Sequence, residues 1–389
     1  MGRASVYVLV FAVSMLSALG LVMLASTSYF LDETSGEAYF TLRSQIIRLG
    51  IGVLAAGVMA FIAYPRLYRL RWKIFGVTVV ALLLCYVPFF ADEVNGAARW
   101  ISLKRLGIGG PNLQPSELAK LAVAILLAGW FTRHEPLTRE FKQGFLMPGC
   151  MVFVTVALIA GEVDLGSAAL VGALGGGMMF VAGTRLLYLL PILGAGLGGL
   201  AWVVKFMPNR VERIFAFLDL EKYKEGLGMQ QWRALIAFGS GGVEGVGLGN
   251  GRQKMLYLPE AHTDFIFPMV GEELGLYGTL FVVITFSLLI AAGMSIAHRA
   301  PDRFSRLLAF GITLTIALEA LLNMGVTTAL LPNKGLPLPF VSYGGSSLVF
   351  RMIGIGILIN IYRQTPYERK KDLLEIRRRR MTAVSHGSL

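Results

Sequence analysis

Runs of about 18 to 25 mostly apolar residues recur along the chain, each long enough to cross roughly 30 Å of hydrocarbon as a helix. They fall near residues 5-28, 44-64, 73-91, 116-132, 145-162, 166-183, 186-205, 266-296, 304-329 and 342-363. The pattern predicts an all-α polytopic integral membrane protein with about ten transmembrane helices and a long loop, 205-265, before the eighth.

Composition strengthens that reading. Of 389 residues, 55% are hydrophobic and only 15% charged, and the mean hydropathy of +0.64 is too high for a soluble domain of this length. The first run follows Arg3 like a signal peptide, but it is longer than a typical signal core and further spans follow, so it reads as an uncleaved first helix. Cys85 and Cys150 both fall inside predicted spans, which excludes a disulfide framework or a Cys-rich metal site.

Charge sets the expected orientation. Arg66, Arg69, Arg71 and Lys73 follow the second span, Arg133, Arg139 and Lys142 the fourth, and Arg299, Arg303 and Arg306 the eighth. These alternate loops are expected in the cytoplasm together with the N-terminus and the tail at 366-389, which carries Arg369, Lys370, Lys371 and Arg377 to Arg380. The expected organisation is therefore a membrane domain over 1-365 and a basic cytoplasmic tail. Because much of the net charge of +12 sits in these places, it reads as topology and anionic-lipid contact, with no nucleic-acid partner expected.

The opposite, extracytoplasmic face is expected to hold an acidic first loop (Asp32, Glu33, Glu37), a loop near 92-115, a tight turn from Glu162 to Gly166, the ordered 205-265 segment, and a loop near 331-341. The glycine-rich stretch from Gly239 to Gly249 has the wrong spacing for a dinucleotide fingerprint. It reads as a re-entrant or interfacial loop whose N–H groups are open to a pyrophosphate. Gly172 with Gly176, and Gly194 with Gly198, have the small-xxx-small spacing of closely packed helices.

Ionisable residues at membrane depth need a partner or a function. In Gln114-Pro115-Ser116-Glu117-Leu118-Ala119-Lys120, Ser116 reads as the helix N-cap and Glu117 suits the positive helix end. Lys120 lies one turn further in, facing either an anionic headgroup, the favoured reading, or a neighbouring carboxylate. Asp164 suits a cap of the sixth span or a charge network, and Lys334, in a proline-stiffened apolar loop, suits a fixed cation. Glu319 reads as a paired interior carboxylate rather than a catalyst.

Asp264 lies in Tyr257-Leu258-Pro259-Glu260-Ala261-His262-Thr263-Asp264-Phe265-Ile266-Phe267-Pro268. Pro268 makes the backbone there irregular, and a carboxylate at the apolar lip of a cavity has its pKa raised toward neutrality, which suits a general base. A cap of the eighth span is the alternative. His262 suits a polar pocket or interface, because no second His or Cys stands at ligand spacing.

Several stretches carry a resemblance: Gly96 to Ile101, Gln114 to Lys120, Asp164-Leu165-Gly166, Gly247 to Asn250 with Gln253-Lys254, Leu258 to Phe267, Gly271 to Gly275, and Lys334 to Ser347. Over about residues 10 to 365 the chain resembles the SEDS (shape, elongation, division, sporulation) membrane proteins, its division branch more than its elongation branch. Glu272-Glu273-Leu274-Gly275, Asn333-Lys334-Gly335 and the basic tail carry the division likeness.

The resemblance implies a ten-helix fold in the bacterial plasma membrane, at the division septum. It implies a peptidoglycan glycosyltransferase polymerising lipid II, the undecaprenyl-pyrophosphate disaccharide-peptide, with a class B penicillin-binding protein and other divisome membrane proteins as partners. Asp264 matches the family's essential aspartate and is expected to be the catalytic base. The expected substrate-binding set is Arg99, Glu117, Lys120, Asp164, Gln231, Lys254, Glu260, His262, Lys334 and Ser342. A divalent cation, magnesium or manganese, is an optional cofactor in this reading. The chain departs from the family pattern at Val163, Arg233, Gly251-Arg252 and Pro268, none of which removes a motif acid or base. A lipid II flippase and a non-catalytic division scaffold are the competing readings.

Overall fold

The computed structural model describes residues 2–34, 39–94, 97–102, 112–191, 215–255 and 258–365. The helices are α1 (Gly2–Thr34), α2 (Phe40–Phe61), α3 (Pro65–Leu84), α4 (Pro115–Arg133), α5 (Met147–Gly161), α6 (Leu165–Ala182), α7 (Met229–Gly241), α8 (Ile266–Arg299) and α9 (Arg303–Thr327). A last helix, α10, spans Ser346–Thr365. Among the described residues, eight helices are long and apolar enough to cross a membrane. The predicted span at 186-205 starts as helix at 186–191 and then, like Gly194, Gly198 and the tail at 366-389, lies outside the described residues.

The core is built around α4, which packs on α3, α6 and α9, while α8 packs on α1, α7 and α9. Ala119, Val123, Leu127 and Phe131 of α4 are buried, as are Leu308, Ile312 and Ile316 of α9. The apolar residues left exposed, such as Phe61, Val77, Phe153 and Ile284, form the belt that a bilayer would cover.

Four local expectations are corrected. Arg66, Arg69, Arg71 and Lys73 are the first turns of α3 and not a loop, because Pro65 starts the helix at its first position. Arg71 is buried there, its guanidinium 4.2 Å from the Tyr68 ring centroid. Ser116 is not the cap of α4: Gln114 occupies that position with Pro115 next, so Ser116 lies within the first turn. The close helix contacts fall at Gly175 and Gly177, where an added Cβ would come within 2.6 Å of Val152 and of Leu314, whereas Gly176 has open space and Gly172 only ordinary contact. Finally, the 92-115 region holds a two-stranded antiparallel hairpin, β1 (Ala91–Val94) and β2 (Ala97–Ile101), with Ile101 also bridging to Leu113.

The 205-265 segment contains α7, which lies so close to α8 that Gly241 has no room for a side chain against the Gly271 carbonyl. The glycine-rich stretch after α7 is clamped to α8. Val246 and Gly247 donate to the carbonyls of Glu272 and Glu273, Gly249 donates to the Glu273 carboxylate at 3.0 Å, and Arg252 donates to Glu272 at 2.8 Å. These N–H groups are thus occupied within the protein, which corrects the expectation that they remain open to a pyrophosphate. Gly275, at φ 64°, interrupts α8 where Gly245 and Val243 press against it.

Candidate active site

Helix ends from across the chain meet at one end of the bundle. Asp264 closes the turn before α8, and its carboxylate does not cap the helix, since Phe265 is the N-cap and makes no side-chain cap bond. Pro268 falls in the first turn of α8, where its missing N–H has no partner to lose. Glu260 starts the turn with φ 58°, and its carbonyl accepts from Thr263 and Phe265.

The loop from Pro332 to Val341 lies against this turn. Gly335 stands so near Asp264 that an added Cβ would lie 2.5 Å from Oδ2. Asn323 of α9 donates through Nδ2 to the carbonyls of both Asp264 and Leu336 at 2.7 Å. The Ser342 hydroxyl donates to the Thr263 carbonyl at 2.5 Å, the Tyr343 N–H donates to the His262 carbonyl at 2.9 Å, and the Tyr343 and His262 rings lie 5.8 Å apart. Gln45 of α2 holds the same corner, bonding the Ser342 carbonyl and the Gly344 N–H.

The start of α6 forms the facing wall. Asp164 caps α6, accepting from the Ser167 N–H at 3.1 Å, and its other oxygen accepts from Gln114 at 3.3 Å. Of the two roles that the sequence left open, the structure shows the cap; the other bonds of Asp164 come from the neutral groups of Gln114 and Ser116. Arg99, on β2, donates to the Val163 carbonyl at 2.8 Å and lies within electrostatic reach of Asp264.

Asp264 is packed on most sides but keeps partial solvent access, and no described residue donates a hydrogen bond to its carboxylate. Burial pushes its pKa up to about 7; Glu260 and Asp164 push the same way, and Arg99 opposes them. A carboxyl so poised can take a proton near neutral pH.

The other expected residues divide clearly. Arg99, Asp164, Glu260, His262, Lys334 and Ser342 gather around Asp264, with Lys334 exposed next to Gly335 and the Glu260 carboxylate accepting from Thr263 Oγ1 at 2.7 Å. Ser342 is buried and ties backbone to backbone. Lys120 lies one turn deeper than Ser116, bonded to Glu117 at 2.7 Å and to Glu319, whose second oxygen receives Arg351 at 2.7 Å. Lys120 thus faces carboxylates rather than an open headgroup site, although with Glu117, Glu319 and Arg351 it borders a small cavity. Glu319 is the paired interior carboxylate expected of it. Lys254 is buried against Glu273 at 2.7 Å and also donates to Ser26 and the Gly249 carbonyl. Gln231 is buried and donates to the carbonyls of Val326 and Leu331. Among the described residues, none of these bonds of Lys254 or Gln231 reaches Asp264.

Asn323, Gln45 and Arg351 were not among the expected residues. Each is polar at membrane depth, and that alone was the available signal. Among the described residues, no three His, Cys, Asp or Glu side chains gather to hold a metal ion.

A family model for the FtsW/RodA/SpoVE cell cycle proteins matches residues 7–367. The chain is 40% identical over 361 residues to the probable peptidoglycan glycosyltransferase FtsW of Trichlorobacter lovleyi, covering 91% of this chain and 92% of that one. It is 38% identical over 366 residues to the protein of the same name from Geobacter metallireducens, covering 92% and 94%. Among solved structures, it superposes with a TM-score of 0.74 and 29% identity on a chain from a peptidoglycan synthase complex described as coordinating polymerization and crosslinking, covering 92% of this chain and 97% of that one. The rod shape determining protein RodA of Thermus thermophilus gives a TM-score of 0.67 at 29% identity, covering 92% and 96%.

Proposed function

The chain belongs to the FtsW/RodA/SpoVE family of cell cycle proteins, and on that premise we propose that it is a peptidoglycan glycosyltransferase that polymerises lipid II in septal wall synthesis. The Asp264 carboxylate carries this reading: it is partly open, caps no helix, and is raised toward neutrality at a crowded end of the bundle.

In the proposed reaction Asp264 takes the proton of an acceptor sugar hydroxyl as that oxygen attacks the anomeric carbon of a second lipid-linked disaccharide. The bond from that carbon to the diphosphate breaks, and its electron pair leaves on the lipid diphosphate. Direct displacement inverts the centre, so one carboxylate suffices. Arg99 and Lys334 are the cations proposed to meet the diphosphate, where a low-dielectric setting strengthens their effect. Lys120 and Lys254 are left out because carboxylates already neutralise them.

The proposed setting is the plasma membrane of a bacterium, with both termini cytoplasmic and the Asp264 end facing outward. A class B penicillin-binding protein is the proposed partner; the likeness to a chain from a peptidoglycan synthase complex supports it. The test is purified protein with its transpeptidase partner and labelled lipid II in detergent, where no second compartment exists for transport. Polymer that forms with the native chain and vanishes in Asp264→Asn supports the enzyme. Intact lipid II under every partner and metal condition overturns it in favour of a flippase or scaffold.

A further inference from the structure

Just beyond the end of α5, the turn that delivers Asp164 to the site also buries a second carboxylate. Glu162 is 4% exposed, and neither of its oxygens has a hydrogen-bond partner among the described residues. A buried carboxylate left in this state is too costly to hold as an anion, so it is carried as the neutral acid.

Among the described residues, the charged and titratable groups that act on it are Cys85 and Tyr86 from the end of α3, Arg99 from β2, and Asp164 from its own turn. The Cys85 thiol lies alongside without hydrogen-bond geometry. Tyr86 gives its hydroxyl to the Leu158 carbonyl at 2.5 Å. Arg99 is the one cation in this set.

Arg99 is tethered only loosely. Its Nη2 bonds the Val163 carbonyl at 2.8 Å, while its Nε is buried without a partner among the described residues. The tether depends on a strained backbone: Val163 sits at φ 65°, a region that a β-branched residue rarely adopts. This turn places Glu162, the Val163 carbonyl and Asp164 in sequence around the guanidinium, which also acts on Asp264.

We propose that Glu162 is a positioning residue that, as a neutral acid, leaves Arg99 to the Asp264 side of the site and, once ionised, draws Arg99 away. The inference rests on the reading of Asp264 and Arg99 given above. Burial and then the Asp164 charge push the Glu162 pKa up to about 8, so the change falls just above neutrality. Below that point a lipid diphosphate meets an uncommitted guanidinium. Above it the same guanidinium has a carboxylate competing for it, and diphosphate binding weakens.

Two measurements on the full-length protein test this. Infrared difference titration in detergent reads the protonated carboxyl directly and requires no turnover. The native chain is expected to lose a buried carboxylic-acid band near pH 8, and Glu162→Gln is expected to lack that band. Binding of undecaprenyl diphosphate is then followed on either side of that pH. The native chain is expected to weaken by a factor of about three to ten as Glu162 ionises, whereas Glu162→Gln stays flat. Arg99→Ala is expected to bind weakly at both pH values, which keeps the test usable if Glu162→Gln does not fold. An unchanged pH response in Glu162→Gln, a pH response that persists in Arg99→Ala, or a native chain without the band overturns the proposal. Because binding and infrared signals do not depend on polymerisation, loss of the enzyme reading would show separately, as intact lipid II alongside these results.

Discussion

Asn323 holds Asp264 by its backbone: the Asn323 side-chain amide donates 2.7 Å to the Asp264 carbonyl and the same distance to the Leu336 carbonyl. One residue of α9 thereby fixes the turn before α8 relative to the loop that carries Lys334 and Gly335. Asn323→Ala leaves both carbonyls without this donor, at about 1 to 3 kcal/mol for each buried group. Small displacements of a reacting group cost much more in rate than in stability, so polymerisation is expected to fall about tenfold to a hundredfold, mainly in kcat. Turnover measured beside thermal unfolding checks it; a loss of stability with kcat intact would show that the residue only braces the fold.

The raised pKa of Asp264 fixes the sign of the pH response. A base must be ionised to act, so kcat/KM is expected to rise with pH through about 7, up to the point near 8 where the proposed ionisation of Glu162 weakens diphosphate binding. Stability runs the opposite way. The folded-state pKa lies above the ordinary carboxylate value, so the associated stability is full below the unfolded pKa and is lost as pH rises through about 7. Asp264→Asn is therefore expected to melt higher than the native chain above that pH and to show no such gain at acidic pH. A native profile that is already flat below neutrality would remove Asp264 as the base.

How far the sequence spoke depended on the range of each interaction. Eight of the ten expected spans were legible because bilayer crossing demands a continuous apolar run, and Asp264 stood out because Pro268 and the turn before it are local signals. Glu319 was recognisable as paired because an interior carboxylate has few other stable states. Lys120 and Lys254 were not legible in the same way. Glu319 lies 199 positions from Lys120, and the Ser26 contact of Lys254 spans 228, so although Glu117 stands three positions from Lys120, nothing near either lysine announces these distant partners. Asn323 shows the same limit: its polar character was visible, but its role depends on two carbonyls brought together only by the fold.

Gly335 tests whether the loop beside Asp264 must stay close to it. A Cβ there would lie 2.5 Å from Asp264 Oδ2, within the distance at which something must shift. Because Gly335 is exposed, the fold can accommodate Gly335→Ala by moving the loop or the carboxylate. The expected outcome is a melting temperature close to native with polymerisation reduced about tenfold or more. Native activity in this variant would mean that the reacting carboxylate does not need the closeness seen here.

Lys254 separates a structural cation from a substrate-binding one. It is buried, with Glu273, Ser26 and the Gly249 carbonyl around it. Lys254→Met leaves the Glu273 carboxylate buried without its counter-charge, a change worth about 3 to 5 kcal/mol when one partner of a buried pair is removed. Adding Glu273→Gln removes the stranded charge while keeping an oxygen for the Ser26 hydroxyl and the Gly249 N–H that now bond the carboxylate. The single variant is therefore expected to be unstable and the double variant to recover most of the loss. If the lysine only anchors the glycine-rich loop to α8, polymerisation recovers together with stability. A double variant that folds as well as the native chain yet binds lipid II poorly would instead return Lys254 to the substrate site, since neutralising its carboxylate partner cannot replace a cation that the diphosphate needs.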